Sequence, residues 1–428
     1  MRSLKNITHF RAFHHKNYRI YMTGHGISLV GTWMQSAAMS WLVYRLTQSS
    51  FMLGLVGFVG NISTFLLASF AGVIADRYDR KRTIIITQSL ALLQALLLSF
   101  LVLKGTIEIW HILLLSSFLG FIYSFDIPVR QTFTADLIGR REDLSNAIAL
   151  NSSIVNLARF AGPSLAGIII AAFGEGPCFL INAISFIFPL TSLKVLQLTQ
   201  KKSHIPTNNV LYDLKKGFHY TFSHISIRSI LLLFSLLGLV GMPYQVLMPV
   251  IARELMHGGP KTLGFLMAMS GLGAFIGALY LAGKVSLKGL DNLVLISGIL
   301  LGIGLISLGH SSILIFSLLS CTLTGFSMVV HMASCNTLLQ TISDEPMRGR
   351  VMSFFTMAFM GTMPIGSLIA GTLAKHMGVT TTLTIGGILC ILGSLIFSRS
   401  LPHLKSKIQI ILAQNIETMT EMRVEIKH

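Results

Sequence analysis

The amino-acid sequence predicts an all-α membrane protein, with twelve transmembrane helices in two pseudo-symmetric bundles of six and both termini in the cytoplasm. Three observations predict this fold class. Hydrophobic residues make up 52% of the 428 residues and charged residues only 11%, against about 25% charged in soluble domains. Apolar runs recur along the whole chain, and Lys and Arg gather in alternate loops. The lipid bilayer is therefore an expected partner.

The apolar runs are each about 20 residues or longer, which is the length that an α-helix needs to cross a bilayer. In chain order, the predicted spans 1 to 12 are 18–44, 51–75, 83–103, 109–127, 146–173, 178–198, 228–252, 262–282, 292–310, 313–339, 351–374 and 379–398.

The basic residues are distributed unevenly between the two sides of these spans. Of the 33 Lys and Arg residues, 27 lie on the side of the termini and the central loop, five lie on the other side, and Arg159 falls within span 5. Such an asymmetry places the basic side in the cytoplasm. Topology and attraction to anionic lipid explain the net charge of +17, so no nucleic-acid partner is predicted.

The spans divide into two halves around the longest internal hydrophilic segment. We expect a six-helix bundle over 1–198, a cytoplasmic linker over 199–227 with an amphipathic helix near 210–222, a second bundle over 228–400, and a cytoplasmic tail over 401–428. A weak echo of the 164–167 segment at 367–371 favours a parallel repeat, a transporter plan in which the substrate site lies between the halves.

Several kinds of chemistry have no motif in this sequence. It contains no Gly-Lys-Ser/Thr phosphate loop, no zinc-ligand spacing and no nucleophile–base pair on a soluble domain. We therefore expect neither an enzyme nor an ATP-driven pump, no metal and no cofactor, with an ion gradient as the energy source. Four cysteines without C-x-x-C spacing are predicted to be buried and free: Cys178, Cys321, Cys335 and Cys390.

The loop between spans 2 and 3 packs four cations and two acids into a few residues. From Gly72 to Arg82 it has the pattern G-x-x-x-D-R-x-x-R-K-R. This pattern resembles the loop between helices 2 and 3 of major facilitator superfamily transporters. The sequence departs from that family at Asp79, where the consensus residue is Gly.

Further motifs extend the resemblance over essentially the whole chain. Their order and spacing are similar to those of the bacterial subfamily that includes the enterobactin exporter, which implies the fold and efflux and hints at a siderophore. The segments that carry it are 10–13, 31–35, 41–47, 126–131, 146–152, 162–167 and 348–353.

The resemblance implies a cytoplasmic gate. Asp76 would face the start of helix 11 near Val351, whose dipole favours an anion, and Arg80 would pair with Asp126 at the cytoplasmic end of helix 4. Such contacts close only when that side is shut, so they bias one of two states. The alternative is that the cations only obey the topology rule. The gating set is completed by two neighbours in the motif, Gly72 and Arg77.

Arg159 is a cation in the middle of a span, where such a charge is costly and usually faces a bundle interior or a wet cavity. It shares a helical face with Ser152, Asn156 and Pro163. This favours a functional site, with bonding to helix-end carbonyls as the structural alternative. The element formed by Gly162, Pro163 and Gly167 resembles a glycine–proline element of exporters in the superfamily and predicts a kink with close packing.

Two polar stripes lie on spans 1 and 10, which the resemblance places along the substrate cavity. We expect the histidines either to bind substrate or protons, or to form packed interhelical hydrogen bonds. The stripes are His25, Ser28, Thr32 and Gln35 in span 1, and Thr324, Ser327, His331 and Ser334 in span 10.

Carboxylates are absent from the predicted span centres, since Asp126 and Glu175 fall near span ends. A cavity that offers Arg159 but no acid favours an anionic or neutral polar-aromatic substrate, which suits a siderophore-like acid or catechol. The candidates for carrying a coupled proton are Asp126, His25 and His331.

The sequence thus predicts a monomeric, multi-pass secondary transporter of the bacterial inner membrane that exports a small molecule by alternating access, coupled to protons. Within transport, the alternatives are multidrug efflux and uptake by a facilitator of the same fold. A lipid flippase is the alternative from a different class.

Overall fold

A computed structural model describes residues 8–138, 141–196, 210–284 and 289–411, without the side chains of 8–10, 68–77, 141 and 210–214. Within these ranges the chain is helical and contains no strand. The twelve predicted runs are each occupied by helix, and these helices are named α1 to α12 in chain order.

The helices of the N-terminal half are α1 Lys16–Thr47, α2 Ser50–Arg77, α3 Arg80–Leu103, α4 Ile109–Asp136, α5 Leu144–Phe173 and α6 Gly176–Val195, the last interrupted at Phe186.

The helices of the C-terminal half are α7 Ile225–Gln245, α8 Pro260–Ala282, α9 Leu290–His310, α10 Leu314–Ile342, α11 Glu345–Met377 and α12 Val379–Ser398. Short turns continue α7 to Leu255. A linker helix, Val210–Ser223, precedes α7, and a tail helix over 401–411 follows α12.

Eleven of these helices, α2 to α12, are long and apolar enough to cross a membrane, judged over the described residues. Helix α1 is 32 residues long, but polar residues such as His25 and Gln35 lower the hydropathy of its centre. The multi-pass, all-helical fold is therefore confirmed, while the crossing by α1 and the cytoplasmic position of the termini stay predictions.

Helix contacts in the two halves follow the same pattern, shifted by six helices. Helix α1 packs on α5, α2 on α4, and α3 on α4 and α6; correspondingly α7 packs on α11, α8 on α10, and α9 on α10 and α12. Between the halves, α5 packs on α8 and α2 packs on α11. These two cross-half pairs are also equivalent under the six-helix shift.

Glycines allow the two cross-half pairs to touch through their backbones. A Cβ added at Gly264 of α8 would lie 2.6 Å from the Pro163 carbonyl oxygen of α5, and one added at Gly371 of α11 would lie 2.6 Å from the Ser50 carbonyl oxygen of α2. Neither position has room for a side chain. Both contacts lie at one end of the molecule, which we call the far end. The opposite end, with the α2–α3 turn and the linker helix, we call the basic end.

A hydrogen bond also joins the halves at the far end, where the Tyr44 hydroxyl donates to Glu254 Oε1 at 2.7 Å. Toward the basic end, by contrast, Ser152 is exposed although it shares the helical face of α5 that meets α8 at Pro163. The halves are therefore closed against each other at the far end. The four cysteines are buried and free, as predicted.

Candidate functional site

Arg159 lies in α5 at the contact between the halves. A Cβ added at Gly271 of α8 would lie 2.7 Å from the Arg159 carbonyl oxygen. The guanidinium carbon of Arg159 lies 5.2 Å from the ring centroid of Trp33 in α1, and Arg159 Nη2 lies 3.9 Å from the Met328 sulfur in α10. A cation over an indole face is attracted by the ring quadrupole. The site therefore joins both halves around one cation.

Ion pairing does not neutralise this cation. Among the residues that the structure describes, no carboxylate oxygen lies within 4.0 Å of the Arg159 guanidinium. The adjoining cavity measures only about 20 Å³, which is room for about one water molecule. Arg159 thus lies without a carboxylate partner among the described residues in a nearly closed site, which is lined by Trp33, Pro163, Gln245, Met248, Met267 and Ser270.

A second polar site lies in the N-terminal half, and we call it the Asp126 cluster: Tyr21, His25, Asp126 and Arg130. Arg130 donates from Nε to Asp126 Oδ2 at 3.0 Å. From Nη1 it donates to the Tyr21 hydroxyl at 3.1 Å and to His25 Nδ1 at 2.8 Å. Because an arginine can only donate, His25 Nδ1 must accept, so the hydrogen of the neutral imidazole lies on Nε2.

Asp126 accepts further hydrogen bonds from α3, from the Thr87 hydroxyl at 2.6 Å and from Gln88 Nε2 at 3.2 Å. It lies ten residues before the end of α4, or about 15 Å along the helix. The prediction that Asp126 sits near a span end is therefore wrong, and in this structure Asp126 pairs with Arg130 rather than with Arg80. Helix α4 continues past the predicted boundary because Asp126 and Arg130, one helical turn apart, neutralise each other.

A cavity of about 420 Å³ adjoins the cluster on the side that faces the basic end of the molecule. His25 and Thr32 line it, and their neighbours include aromatic and amide side chains that the sequence did not single out: Tyr123, Gln131 and Asn151. The cavity belongs to the N-terminal half, since its lining residues come from α1, α3, α4, α5 and α6.

Arg80 pairs instead with Asp136, at the last residue of α4. Its Nη1 donates to both carboxylate oxygens, at 2.8 and 3.0 Å, and both side chains are partly exposed at the basic end. Next to this pair, Asp79 caps α3 by accepting from the Arg82 amide at 2.8 Å. The Asp that replaces the family's Gly therefore gives α3 a favoured N-cap.

The other members of the predicted gate lie where side chains are not described. Gly72, Asp76 and Arg77 belong to the last turns of α2, and their side chains fall outside the described part of the chain. Helix α11 begins at Glu345 rather than at Val351, so its N-terminal dipole lies earlier than predicted. The gating roles stay predictions.

The remaining polar candidates form interhelical or intrahelical bonds. Gln35 donates to Gln94 Oε1 at 3.1 Å and accepts from Asn182 Nδ2 at 2.8 Å, which ties α1 to α3 and α6. Asn156 donates to the Ser152 carbonyl one turn earlier at 2.8 Å. These contacts place the Gln35 amide in the packing of three helices, whereas the Asn156 amide bonds only within α5.

The polar stripe of α10 faces neighbouring helices. His331 Nδ1 lies 3.1 Å from the Val294 carbonyl oxygen and 3.2 Å from Ser297 Oγ, both in α9. The Ser327 side chain is fully buried. His331 thus has the packed interhelical contacts that the sequence left as an alternative, and it does not line the cavity at the Asp126 cluster.

The glycine–proline element lies where α5 meets two other helices. Pro163 sits inside a continuous helix. A Cβ added at Gly162 would lie 2.6 Å from the Trp33 Cβ of α1, and one added at Gly167 would lie 2.8 Å from the Pro260 carbonyl oxygen of α8. The two glycines therefore permit close approach on both sides of α5.

Comparisons with known proteins give the same family over nearly the whole chain. The model of the transmembrane secretion effector family matches residues 7–427. A staphyloferrin A transporter of Staphylococcus aureus is 29% identical over 382 residues, which are 89% of this chain and 95% of that relative. An enterobactin exporter of Citrobacter koseri is 28% identical over 379 residues, with coverages of 87% and 89%.

Solved transporter structures share the fold. A structure of the nucleoside transporter NupG superposes with a TM-score of 0.75 at 13% identity, over 90% of this chain and 98% of that one. A POT family transporter in complex with 5-aminolevulinic acid gives 0.72 at 12% identity, over 91% and 96%. With the family match, these likenesses mean that the chain belongs to the transmembrane secretion effector family and is a major facilitator superfamily transporter rather than an enzyme.

Proposed function

We propose that this transporter exports a siderophore-like anionic or polar-aromatic molecule across the bacterial inner membrane, by alternating access and at the expense of a proton gradient. The observation that carries the proposal is Arg159, a cation without a carboxylate partner among the described residues, placed where the two halves meet. Relatives described as a staphyloferrin A transporter and an enterobactin exporter support the substrate class.

The chemistry of the Arg159 site suits such a cargo. A buried charge without a partner costs several kcal/mol in an apolar medium, so an anionic ligand that pairs with it gains affinity. The neighbouring Trp33 ring offers an aromatic face to the same ligand. Asp126 does bring a carboxylate into the span region, but Arg130 neutralises it at 3.0 Å. The cluster therefore presents no net negative charge to a lipophilic cation.

The conformation supports loading from the cytoplasm. The halves touch at the far end through Gly264 and Gly371, while the large cavity lies toward the basic end. By the positive-inside rule the basic end is cytoplasmic. A protein in this state would take up cargo inside the cell, and closing of the basic end through Arg80, Asp136 and the Asp76 region would commit it to release outside.

Metabolite profiling of cells and medium tests the proposal and identifies the cargo in the same measurement. A strain that lacks the protein is complemented with the wild type, Arg159→Ala or Arg399→Ala. Arg399 is a matched control, since it is an exposed arginine after α12. We expect an anionic compound to accumulate in the deletion cells, the wild type and Arg399→Ala to restore its secretion, and Arg159→Ala to lower secretion at least about tenfold, as for a lost ion pair of about 1.4 kcal/mol or more.

Each alternative function has its own outcome in this experiment. Depletion of a compound from the deletion cells would identify uptake instead of export. Accumulation of a lipophilic cation would identify multidrug efflux, and a changed lipid distribution between the leaflets would identify a flippase. Full secretion by Arg159→Ala would remove Arg159 from the cargo site.

A further inference from the structure

Buried carboxylates are few in the described part of the chain, and they differ in their depth. Asp126, Glu175 and Asp291 are each at most 5% exposed. Glu175 precedes α6 at the far end and pairs with Arg45, and Asp291 lies in the first turn of α9 at the basic end. Only Asp126 among these three lies deep within a helix, about 15 Å from its end, and beside a large cavity.

We propose that Asp126 is the proton-binding group of this transporter, and that its protonation is controlled by Arg130 through a contact that depends on conformation. The inference rests on proton-coupled transport as proposed above and names the residue that carries the proton. In the present conformation Asp126 would release its proton toward the basic end.

Hydrogen-bond donors surround both carboxylate oxygens of Asp126 here. Its oxygens accept from Thr87, Gln88 and the Arg130 guanidinium, so both oxygens are occupied by donors. In this arrangement the donors occupy the positions at which a proton would bind. A carboxyl group can bind a proton again only when these donors move away, and helix rearrangement between the two states of the transporter provides such a movement.

The histidine candidates are poorer proton carriers on the same geometry. His25 Nδ1 accepts from Arg130 at 2.8 Å, so a proton on that nitrogen would lose the bond and face a guanidinium. His331 is packed against α9, away from the cavity. Asp126 therefore remains as the candidate that is buried, contacts the charged side chain of Arg130 and lines the cavity.

The other groups around Asp126 complete its electrostatic surroundings. Helix α3 contributes only Gln88 and Thr87, and α5 and α6 contribute no ionisable group to the cavity wall. The titratable or charged groups that face it come from α1 and α4 alone: Tyr21, His25, Tyr123 and Arg130.

The proton transfer is a simple exchange with water. On the open side, the O–H bond of the Asp126 carboxyl breaks, the proton goes to water on the cytoplasmic side, and the bonding pair stays on the carboxylate. In the opposite state a proton from the periplasm forms the O–H bond again. No oxidant, reductant or cofactor takes part, and the charge of the cluster changes by one in each direction.

Infrared difference spectroscopy of the lipid-reconstituted protein between high and low pH tests this directly, since a buried carboxylic acid has its own C=O stretching band. We expect a band that is present in the wild type and in the control Glu175→Gln, absent in Asp126→Asn, and displaced in Asp126→Glu. Glu175 is a suitable control because it is a buried carboxylate outside the cluster.

Identical spectra for the wild type and Asp126→Asn would overturn the proposal. If Asp126→Asn does not fold, Asp126→Glu provides the test, because it retains a carboxyl group, and an unmoved band in that variant would also overturn the proposal. The readout needs no cargo, so it is independent of the Arg159 experiment. As a functional arm, an uncoupler should lower export by the wild type several-fold. Export by Asp126→Asn that is equal to the wild type and equally sensitive to the uncoupler would also contradict the proposal.

Discussion

Asp126 and Asp136 of α4 form two separate ion pairs. The motif pattern alone makes Asp126 both the partner of Arg80 and a candidate proton carrier. Asp136 holds Arg80 at the exposed basic end, whereas Asp126 holds Arg130 in the interior. Their separation of ten residues keeps the two ion pairs independent. At the residue scale, we therefore propose a gating role for the surface pair and a proton-binding role for the interior pair.

Charge reversal tests the gating role of the surface pair. Arg80→Asp and Asp136→Arg should each lower transport several-fold, because each places like charges side by side at the basic end, which has to close during transport. The double reversal should restore most of the activity. Neither single substitution should change the free energy of unfolding by more than about 1 kcal/mol, since exposed ion pairs contribute little to folding. The measurement is flux in everted vesicles together with thermal unfolding.

An exposed cation elsewhere provides the control for net charge, and Arg399→Asp should leave flux unchanged. Wild-type flux in both single reversals would exclude Arg80 and Asp136 from gating. A double reversal that is no better than either single variant would show that the two residues do not act through their mutual contact.

At the scale of elements, the approach of α5 to α8 depends on glycine. Gly264→Val should prevent that approach, because a Cβ at this position already lies 2.6 Å from the Pro163 carbonyl oxygen. We expect the far end to open. The thiol of Ser367→Cys, at a position that is 1% exposed in the α2–α11 contact, should then react several-fold faster with a membrane-impermeant reagent applied to the periplasmic side.

The matched control is Gly349→Val, since no heavy atom lies within 4 Å of a Cβ at that position in α11. The native cysteines are buried and should contribute little background. Equal labelling of the Gly264→Val and Gly349→Val proteins would mean that the glycine contact does not hold the far end shut.

Hydropathy predicted the helices well because each span must bury apolar residues on all sides, and the twelve runs all contain helix. It failed at the end of α4, where it ended the span at residue 127 and so placed Asp126 near the span end. The i, i+4 spacing of Asp126 and Arg130 is the signal that could have extended the helix to Asp136. The partners of His331 could not be predicted, because contact with α9 depends on the rotation of two helices.

On the scale of the whole molecule, the six-helix shift in the packing gives the transporter two equivalent cross-half seams, α2–α11 and α5–α8. A rocking motion of one half against the other changes both seams at once. The candidate sites differ in how they use this motion. Arg159 lies on a seam, so the motion changes its contacts directly. The Asp126 cluster lies inside one half, so its contacts change only if helices within the N-terminal half shift relative to one another.

The hydrogen bond from Tyr44 to Glu254 should bias the equilibrium of the whole molecule toward the state seen here. Tyr44→Phe removes that bond, whose net value to a carboxylate is about 1.5 kcal/mol or more, and should raise the ratio of far-end-open to far-end-closed molecules at least about tenfold. Distances between spin labels at the exposed residues Lys104 and Arg253, one in each half, would report the shift as a larger long-distance fraction. Unchanged distance distributions would assign the closure to the glycine contacts alone.

The stacking of Arg159 on Trp33 gives the protein an optical reporter of its own. The chain contains three tryptophans, and the indole of Trp33 is the one that lies over the Arg159 guanidinium in the described structure. A ligand that draws this guanidinium away must change the emission of that indole. Fluorescence of a variant that retains Trp33 as its sole tryptophan could therefore screen compounds for occupancy of the site without a label.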